Sequence, residues 1–242
     1  MSLRSWLGCL VDLLFPRHCC ACNKLLKNSK FRYVCDYCAS QLCWTTEPLC
    51  SRCGMPFAGA VASDDRLCVQ CKLNPPRFNK AMSLWMFQGV AREIIHELKY
   101  KSGEYMLSDI ESMVLKNRAM VELVSNAVLV PVPIHWRRFF SRGYNQSELI
   151  AKGLCRVVQN SVVKNLLIKK RHNRSQTELD PEARVKNVVN SFALRKDIDF
   201  PKNTKLVIVD DVMTTGATIN ECVRELQEGG YSQVFVMTLA RG

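Results

Sequence analysis

The stretch Lys205-Leu-Val-Ile-Val-Asp-Asp-Val-Met-Thr-Thr-Gly-Ala-Thr218 constrains the fold more than any other part of this chain. Leu206 to Val209 is a short apolar run, rich in β-branched residues, of the kind buried on both faces of a parallel sheet. Two carboxylates, Asp210 and Asp211, follow it, and then a turn of small and hydroxyl residues that opens a helix reaching about Glu228. Such a turn suits a sugar phosphate. Backbone N–H groups and the helix dipole bind the phosphate, threonine hydroxyls add donors, and Gly216 lets the backbone come close. The two carboxylates can accept hydrogen bonds from vicinal ribose hydroxyls. The Gly-x-x-x-x-Gly-Lys pattern of a nucleotide-triphosphate P-loop is absent.

The 242 residues suffice for one large and one small domain. We expect an amphipathic helix over 1–16, a cysteine-rich unit over 17–74 and an α/β domain over 78–242. Leu3, Leu7, Leu10 and Leu14 fall on one helical face. Asp12 interrupts the apolar run and no small-residue cleavage site follows, so this segment does not read as a secretory signal. No stretch is long and apolar enough to span a bilayer. The net charge of +12 favours polyanionic partners.

Eight of the thirteen cysteines form four Cys-x-x-Cys pairs: Cys19 and Cys22, Cys35 and Cys38, Cys50 and Cys53, Cys68 and Cys71. Two residues between thiolates make a knuckle whose sulfurs reach one zinc, and two knuckles complete a tetrahedral site. The arrangement points to metal in a reducing cytoplasm rather than to disulfides. One or two structural Zn²⁺ ions are expected, with sequential or interleaved pairing both compatible with the spacing. Metal would supply the folding free energy that such short polar segments lack. Gly54 and Pro56 fit a tight knuckle turn. Cys20 lies inside the first pair without the two-residue spacing, and Cys9, Cys43, Cys155 and Cys222 read as small buried hydrophobes.

Asn74-Pro-Pro-Arg77 reads as a linker, after which the pattern changes. We expect a strand over Ala81–Phe87, a helix over Gly89–Tyr100, one long helix over Met106–Val124 and a strand over Ala127–Pro133. A basic loop, Ile134 to Gln146, comes next, carrying Arg137, Arg138 and Arg142, and then a helix from about Ser147 to Val158. Val162–Lys170 reads as a strand and Tyr231–Leu239 as the strand closing the sheet. Strands alternating with helices make an α/β parallel sheet with ligands at the strands' C-terminal ends. Residues 134–174 hold ten Lys or Arg against one Glu, a surplus of nine positive charges around one region.

The stretch around Asp210 resembles the phosphoribosyl-pyrophosphate (PRPP) loop of type I phosphoribosyltransferases, in which strand, two acids and Thr-Thr-Gly-x-Thr turn are continuous. The chain as a whole resembles the ComF family of competence-associated phosphoribosyltransferase-like proteins with an N-terminal double zinc ribbon. The likeness is carried by Phe15-Pro-Arg-His-Cys19, Leu98-Lys99-Tyr100, Pro131-Val-Pro133, Arg142-Gly-Tyr-Asn-Gln146, and Gln176, Leu179, Arg184, Asn187 and Phe192. Asn173 departs from it, standing where family members usually have Thr. The resemblance implies a type I phosphoribosyltransferase fold and cytoplasmic handling of single-stranded DNA in natural transformation.

On that footing Asp210 and Asp211 would hold the ribose hydroxyls of PRPP, and Thr214, Thr215, Gly216, Ala217 and Thr218 its 5-phosphate. Mg²⁺ with Lys99, Arg137, Arg138 or Arg142 would take the pyrophosphate. Arg171, Arg174, Gln176, Arg184 and Asn187 would lie on a mobile loop that closes over the site. As an enzyme the protein would stabilise pyrophosphate as leaving group. As a nucleic-acid module it would use Trp136, Phe139, Phe140 and Tyr144, interleaved with arginines, to stack single-stranded bases, although core packing is expected of at least two of these rings. A third reading makes the ribbons a docking platform for uptake proteins such as a helicase.

Overall fold

The computed structural model describes residues 16–57, 59, 66–100, 103–170 and 190–242. Its centre is a five-stranded, all-parallel sheet in the order β1-β7-β6-β2-β3. The strands are β1 (Ala81–Met86), β2 (Val128–Pro131), β3 (Val162–Val163), β6 (Leu206–Met213) and β7 (Val234–Arg241). Parallel strands need covered faces, and the residues alternate accordingly. Val207, Val209, Met237 and Leu239 enter one apolar core; Leu206, Ile208, Val234 and Val236 enter the other. β7 lies inside the sheet between β1 and β6 rather than at its margin.

One face is covered by α3 (Val90–Tyr100), α4 (Leu107–Leu115), α5 (Arg118–Val124) and α7 (Gln146–Val157). The other is covered by α8 (Ala217–Glu228) and by a separate antiparallel pair, β4 (Leu167–Lys169) and β5 (Phe192–Leu194). The single helix expected over Met106–Val124 is thus three pieces, a 3₁₀ turn over Gly103–Met106 and then α4 and α5. Asn117 causes the break between α4 and α5. Its side chain accepts from the N–H of Met120 at 3.0 Å, so it caps a new helix instead of continuing the old one. The expected strand over Val162–Lys170 is likewise divided, because after Val163 the chain leaves the main sheet to pair with Phe192–Leu194.

Among the described residues the cysteine-rich segment contains two short helices, α1 (Asp36–Ser40) and α2 (Val69–Leu73). Its two halves pack on opposite faces of the sheet, Cys19 and Cys38 in the core under α3, Cys50, Cys53 and Cys71 in the core under α8. Residues 43–45 lie antiparallel to β1, with Thr45 N bonded to Leu84 O at 2.9 Å and Met86 N to Cys43 O at 2.8 Å. They cover an edge that would otherwise be open. Cys43 is exposed rather than a buried hydrophobe, whereas Cys222 is buried and Cys155 half-buried. Asp109 of α4 anchors the first half by accepting from Arg32 N and Tyr33 N at 2.8 and 2.7 Å. In the second half Gly54 presses against β1: at φ +69° a side chain there would meet Ala81 O at 2.6 Å. The expected linker is a packed strap. Phe78 is buried, and Arg77 is bonded through its N–H to Asn220 and through its carbonyl to Gln227.

Candidate phosphoribosyl pocket and zinc centres

β6 is longer than its apolar run. Because β7 offers a partner as far as Arg241, pairing continues through Asp210 and Val212 to Met213, so both acids lie within the strand rather than after it. The turn that follows has Gly216 in the left-handed region at φ 73°, where glycine carries no steric cost, and α8 starts at Ala217. Asn220 N bonds Gly216 O at 2.8 Å, closing the first turn of the helix. Thr214 through Ile219 line a cleft of about 500 Å³, with both acids on its wall.

The acids are held differently. Asp211 is buried, and Lys99 Nζ at the end of α3 stands 2.9 Å from its Oδ2. Asp210 Oδ1 accepts from Ser147 Oγ at 2.8 Å and from the N–H of Asp211 at 2.9 Å. Dense packing and the neighbouring Asp211 charge push its pKa up to about 7, against those hydrogen bonds and the Lys99 charge. Asp211 is therefore held in an ion pair, and Asp210 sits at the edge of ionisation near neutral pH.

Facing them, the expected basic loop is a short helix, α6 (Trp136–Arg142), between a His135 cap, whose Nδ1 accepts from Arg137 N, and Gly143 in the left-handed region. Arg138 and Arg142 reach the cleft. Arg142 is steadied by Gln146 Oε1 at 3.1 Å and Tyr100 OH at 3.3 Å, over the Tyr100 ring. Arg137 is not among the lining residues; its guanidinium lies over the Trp136 ring. Trp136, Phe139 and Phe140 are all exposed, Phe140 by 79 %, so core packing does not take two of the four rings; only Tyr144 is half-buried, donating to Leu98 O at 2.7 Å. Seven residues are two turns of helix, and α6 buries none of them.

Two cleft residues carry no sequence signal of their own. Lys169 ends β4 and reaches the cleft with Nζ 5.1 Å from the Phe192 ring centroid; burial, and then the Arg138 charge, lower its pKa. Ser147, the partner of Asp210, is a plain serine in the first turn of α7. The sequence shows neither side chain converging on Asp210, because that depends on α7 packing against β6 and on β4 ending at the cleft. Arg171, Arg174, Gln176, Arg184 and Asn187, like the leucine face of 1–16, lie outside the described residues.

The paired cysteines gather sequentially. Cys19, Cys22, Cys35 and Cys38 form one group and Cys50, Cys53, Cys68 and Cys71 another, with the sulfurs of each group within 4.8 Å of one another. Cys22 and Cys35 Sγ are 3.7 Å apart, as are Cys53 and Cys68 Sγ. That is far beyond a disulfide bond of about 2.05 Å and close to the ~3.8 Å edge of a tetrahedron with zinc–sulfur bonds of about 2.3 Å. The backbone already favours thiolate at one cysteine of each group. Burial opposes ionisation of Cys19 and Cys50, but nearby N–H groups outweigh it and bring their pKa values to about 7 and about 6. Both groups fit structural zinc, with no ligand position left open for a substrate. Cys20 belongs to neither; burial raises its pKa.

Residues 10–72 match the double zinc ribbon domain, and residues 145–242 match the phosphoribosyl transferase domain. The DNA utilization protein YhgH of Escherichia coli is 29 % identical over 213 residues, 86 % of this chain and 90 % of the relative. Competence protein F of Haemophilus influenzae is 26 % identical over 225 residues, 87 % of this chain and 98 % of the relative. Over most of its length the chain is similar to competence proteins of the ComF kind. A third such relative, competence protein ComFC of Bacillus subtilis, is 25 % identical over 215 residues, covering 86 % of this chain and 84 % of its own length. In this chain the phosphoribosyl transferase match spans β6, its two acids and the threonine turn. No helix among the described residues is long and apolar enough to cross a membrane.

Proposed function

We propose that this protein binds PRPP with Mg²⁺ in the cleft at the end of β6 and holds single-stranded DNA on α6 beside it, acting in cytoplasmic DNA utilisation or natural transformation. One observation carries the ligand: two acids, a Thr-Thr-Gly-Ala-Thr turn at a helix start and four cations share a single cleft. Asp210 and Asp211 would take the ribose hydroxyls and the turn would take the 5-phosphate. Arg138, Arg142 and Lys169 surround the remaining space, and a pyrophosphate there would relieve their mutual repulsion. Mg²⁺ would neutralise pyrophosphate charge as it leaves. The names of the relatives supply the DNA context.

The exposed rings of α6 favour the nucleic-acid half of this reading. Trp136 and Phe140 stand edge to face, 6.1 Å between centroids, with Arg137 5.3 Å from the Trp136 ring. Stacking rings with guanidinium groups suit a sequence-tolerant single strand. The threonine turn, cation wall and aromatic helix adjoin, which would bring a strand's bases near the anomeric carbon of bound PRPP.

A melting-temperature shift tests the ligand. PRPP with Mg²⁺ should raise the melting temperature more than ribose 5-phosphate does, and no shift at millimolar PRPP would count against the cleft reading. Pyrophosphate release on adding single-stranded DNA or free bases would identify transfer to an acceptor; PRPP binding without release would make the protein a PRPP-responsive DNA binder.

A further inference from the structure

Arg241, on the last residue of β7, is a buried cation away from the cleft wall. It is 7 % exposed and forms no ion pair with a carboxylate among the described residues. Its Nη1 donates to Cys53 O, in a zinc knuckle, at 2.6 Å, while its buried Nε meets no hydrogen-bond partner among the described residues. An uncompensated guanidinium is costly to bury. The group beside it that can carry negative charge is the second cysteine cluster: four thiolates around one Zn²⁺ keep a net negative charge.

The backbone of the same residue abuts the phosphate turn. Arg241 is in register with Met213 in the β6–β7 ladder. Gly242 N donates to Met213 O at 3.0 Å, and a side-chain carbon placed on Gly242 would touch Thr214 Cγ2 at 3.3 Å. Met213 and Thr214 both line the cleft. On the other side Phe87, also of the cleft lining, donates its N–H to Arg241 O at 2.6 Å. One residue thus spans the distance from zinc knuckle to cleft.

Resting in part on the sugar-phosphate reading of the cleft, we infer that Arg241 is a positioning residue that couples the second zinc centre to the phosphate-binding turn. Its side chain takes the zinc–thiolate cluster as counter-charge and its backbone holds Met213 and Thr214 in place. The first cluster is anchored instead on α4 through Asp109, on the opposite face of the sheet. The two zinc ions are therefore unequal, and the coupling must be reciprocal: a ligand on the turn slows loss of the second zinc, and loss of that zinc weakens the ligand.

Zinc transfer from the full-length, fully loaded protein to a chromophoric chelator tests this, with calorimetry of PRPP and Mg²⁺ in parallel. In Arg241→Gln one of the two zinc equivalents should leave about ten- to a hundredfold faster, the range for lost outer-shell partners of a metal site, and Arg241→Lys should lie between. PRPP should slow that same equivalent in the wild type and lose the effect in Arg241→Gln. Unchanged release in Arg241→Gln, or equal acceleration of both zinc ions as from general loosening, overturns the inference, as does PRPP that binds by calorimetry yet leaves zinc release unaltered. Absence of PRPP binding by calorimetry would instead refute the cleft reading, and the Arg241→Gln release rates would then decide the zinc arm alone.

Discussion

Lys99 Nζ stands 2.9 Å from Asp211 Oδ2, and this ion pair ties the end of α3 to the end of β6 at the wall of the cleft. The Asp211 side chain is 6 % exposed and that of Lys99 24 %. Removing the lysine leaves a buried carboxylate unpaired. We expect Lys99→Met to lower stability by about 2–3 kcal/mol, the lower side of the cost of breaking a buried pair because the ammonium still touches water. Asp211→Asn in the same background should restore most of the loss. Urea denaturation of the two single variants and the double variant measures the coupling; simple additivity would contradict it.

Asp210 makes stability depend on pH in the opposite sense to an ordinary ion-paired carboxylate. Its pKa is raised from 3.8 to about 7, by burial first and by Asp211 second. The folded state therefore binds this proton more tightly than the unfolded chain does. The stabilisation is fully present below pH 4, falls as pH rises, and is gone above about 7. Asp210→Asn keeps a neutral group there at every pH. It should match the wild type near pH 4 and exceed it by about 2 kcal/mol at pH 8, after discounting for water at the cleft. Thermal melts of ligand-free protein across that range check it; a variant less stable at pH 8 would contradict the account.

The exposed rings of α6 predict a separation of binding from stability. Phe140 and Trp136 are 79 % and 58 % exposed. Their replacement by Ala should change stability by no more than about 0.5 kcal/mol. Affinity for a single-stranded oligonucleotide should fall about tenfold for each, a stacked base being worth about 1–3 kcal/mol. Fluorescence anisotropy at two salt concentrations measures this, and affinity should also drop steeply with salt. Undiminished affinity in the double variant would remove α6 from the interface.

Two zinc ions per chain are expected, one for each sequential Cys₄ group. X-ray absorption should show four sulfurs at about 2.3 Å. Chelation should release both stretches of the β1 edge that the ribbons cover, at Cys43–Thr45 and at Arg52–Gly54 against Ala81, seen as faster amide exchange in β1. A stoichiometry of one zinc would contradict the pairing.

Much of this architecture is legible in the residues because the informative features are local. The Val-Asp-Asp run, the Thr-Thr-Gly-Ala-Thr turn and the Cys-x-x-Cys knuckles each report chemistry whose partners are adjacent in sequence. What the sequence hides depends on crossings between distant elements. Ser147 and Lys169 approach Asp210 only because α7 packs against β6 and β4 ends at the same cleft. The packing of the two ribbons on opposite faces follows from residues 43–45 running along the β1 edge, which no spacing rule reveals. Trp136, Phe139 and Phe140 look like core residues by type and are exposed because α6 is too short to reach a core. Asn117 breaks a pattern that is otherwise apolar at helical spacing.

Calorimetric titration with PRPP and Mg²⁺, comparing the wild type with Asp210→Asn/Asp211→Asn, tests the central claim most directly. The acids stand on the cleft wall above the threonine turn, so the wild type should bind one PRPP per chain and the double variant should bind none. A wild type that gives no binding heat, or a double variant with undiminished affinity, would contradict the account.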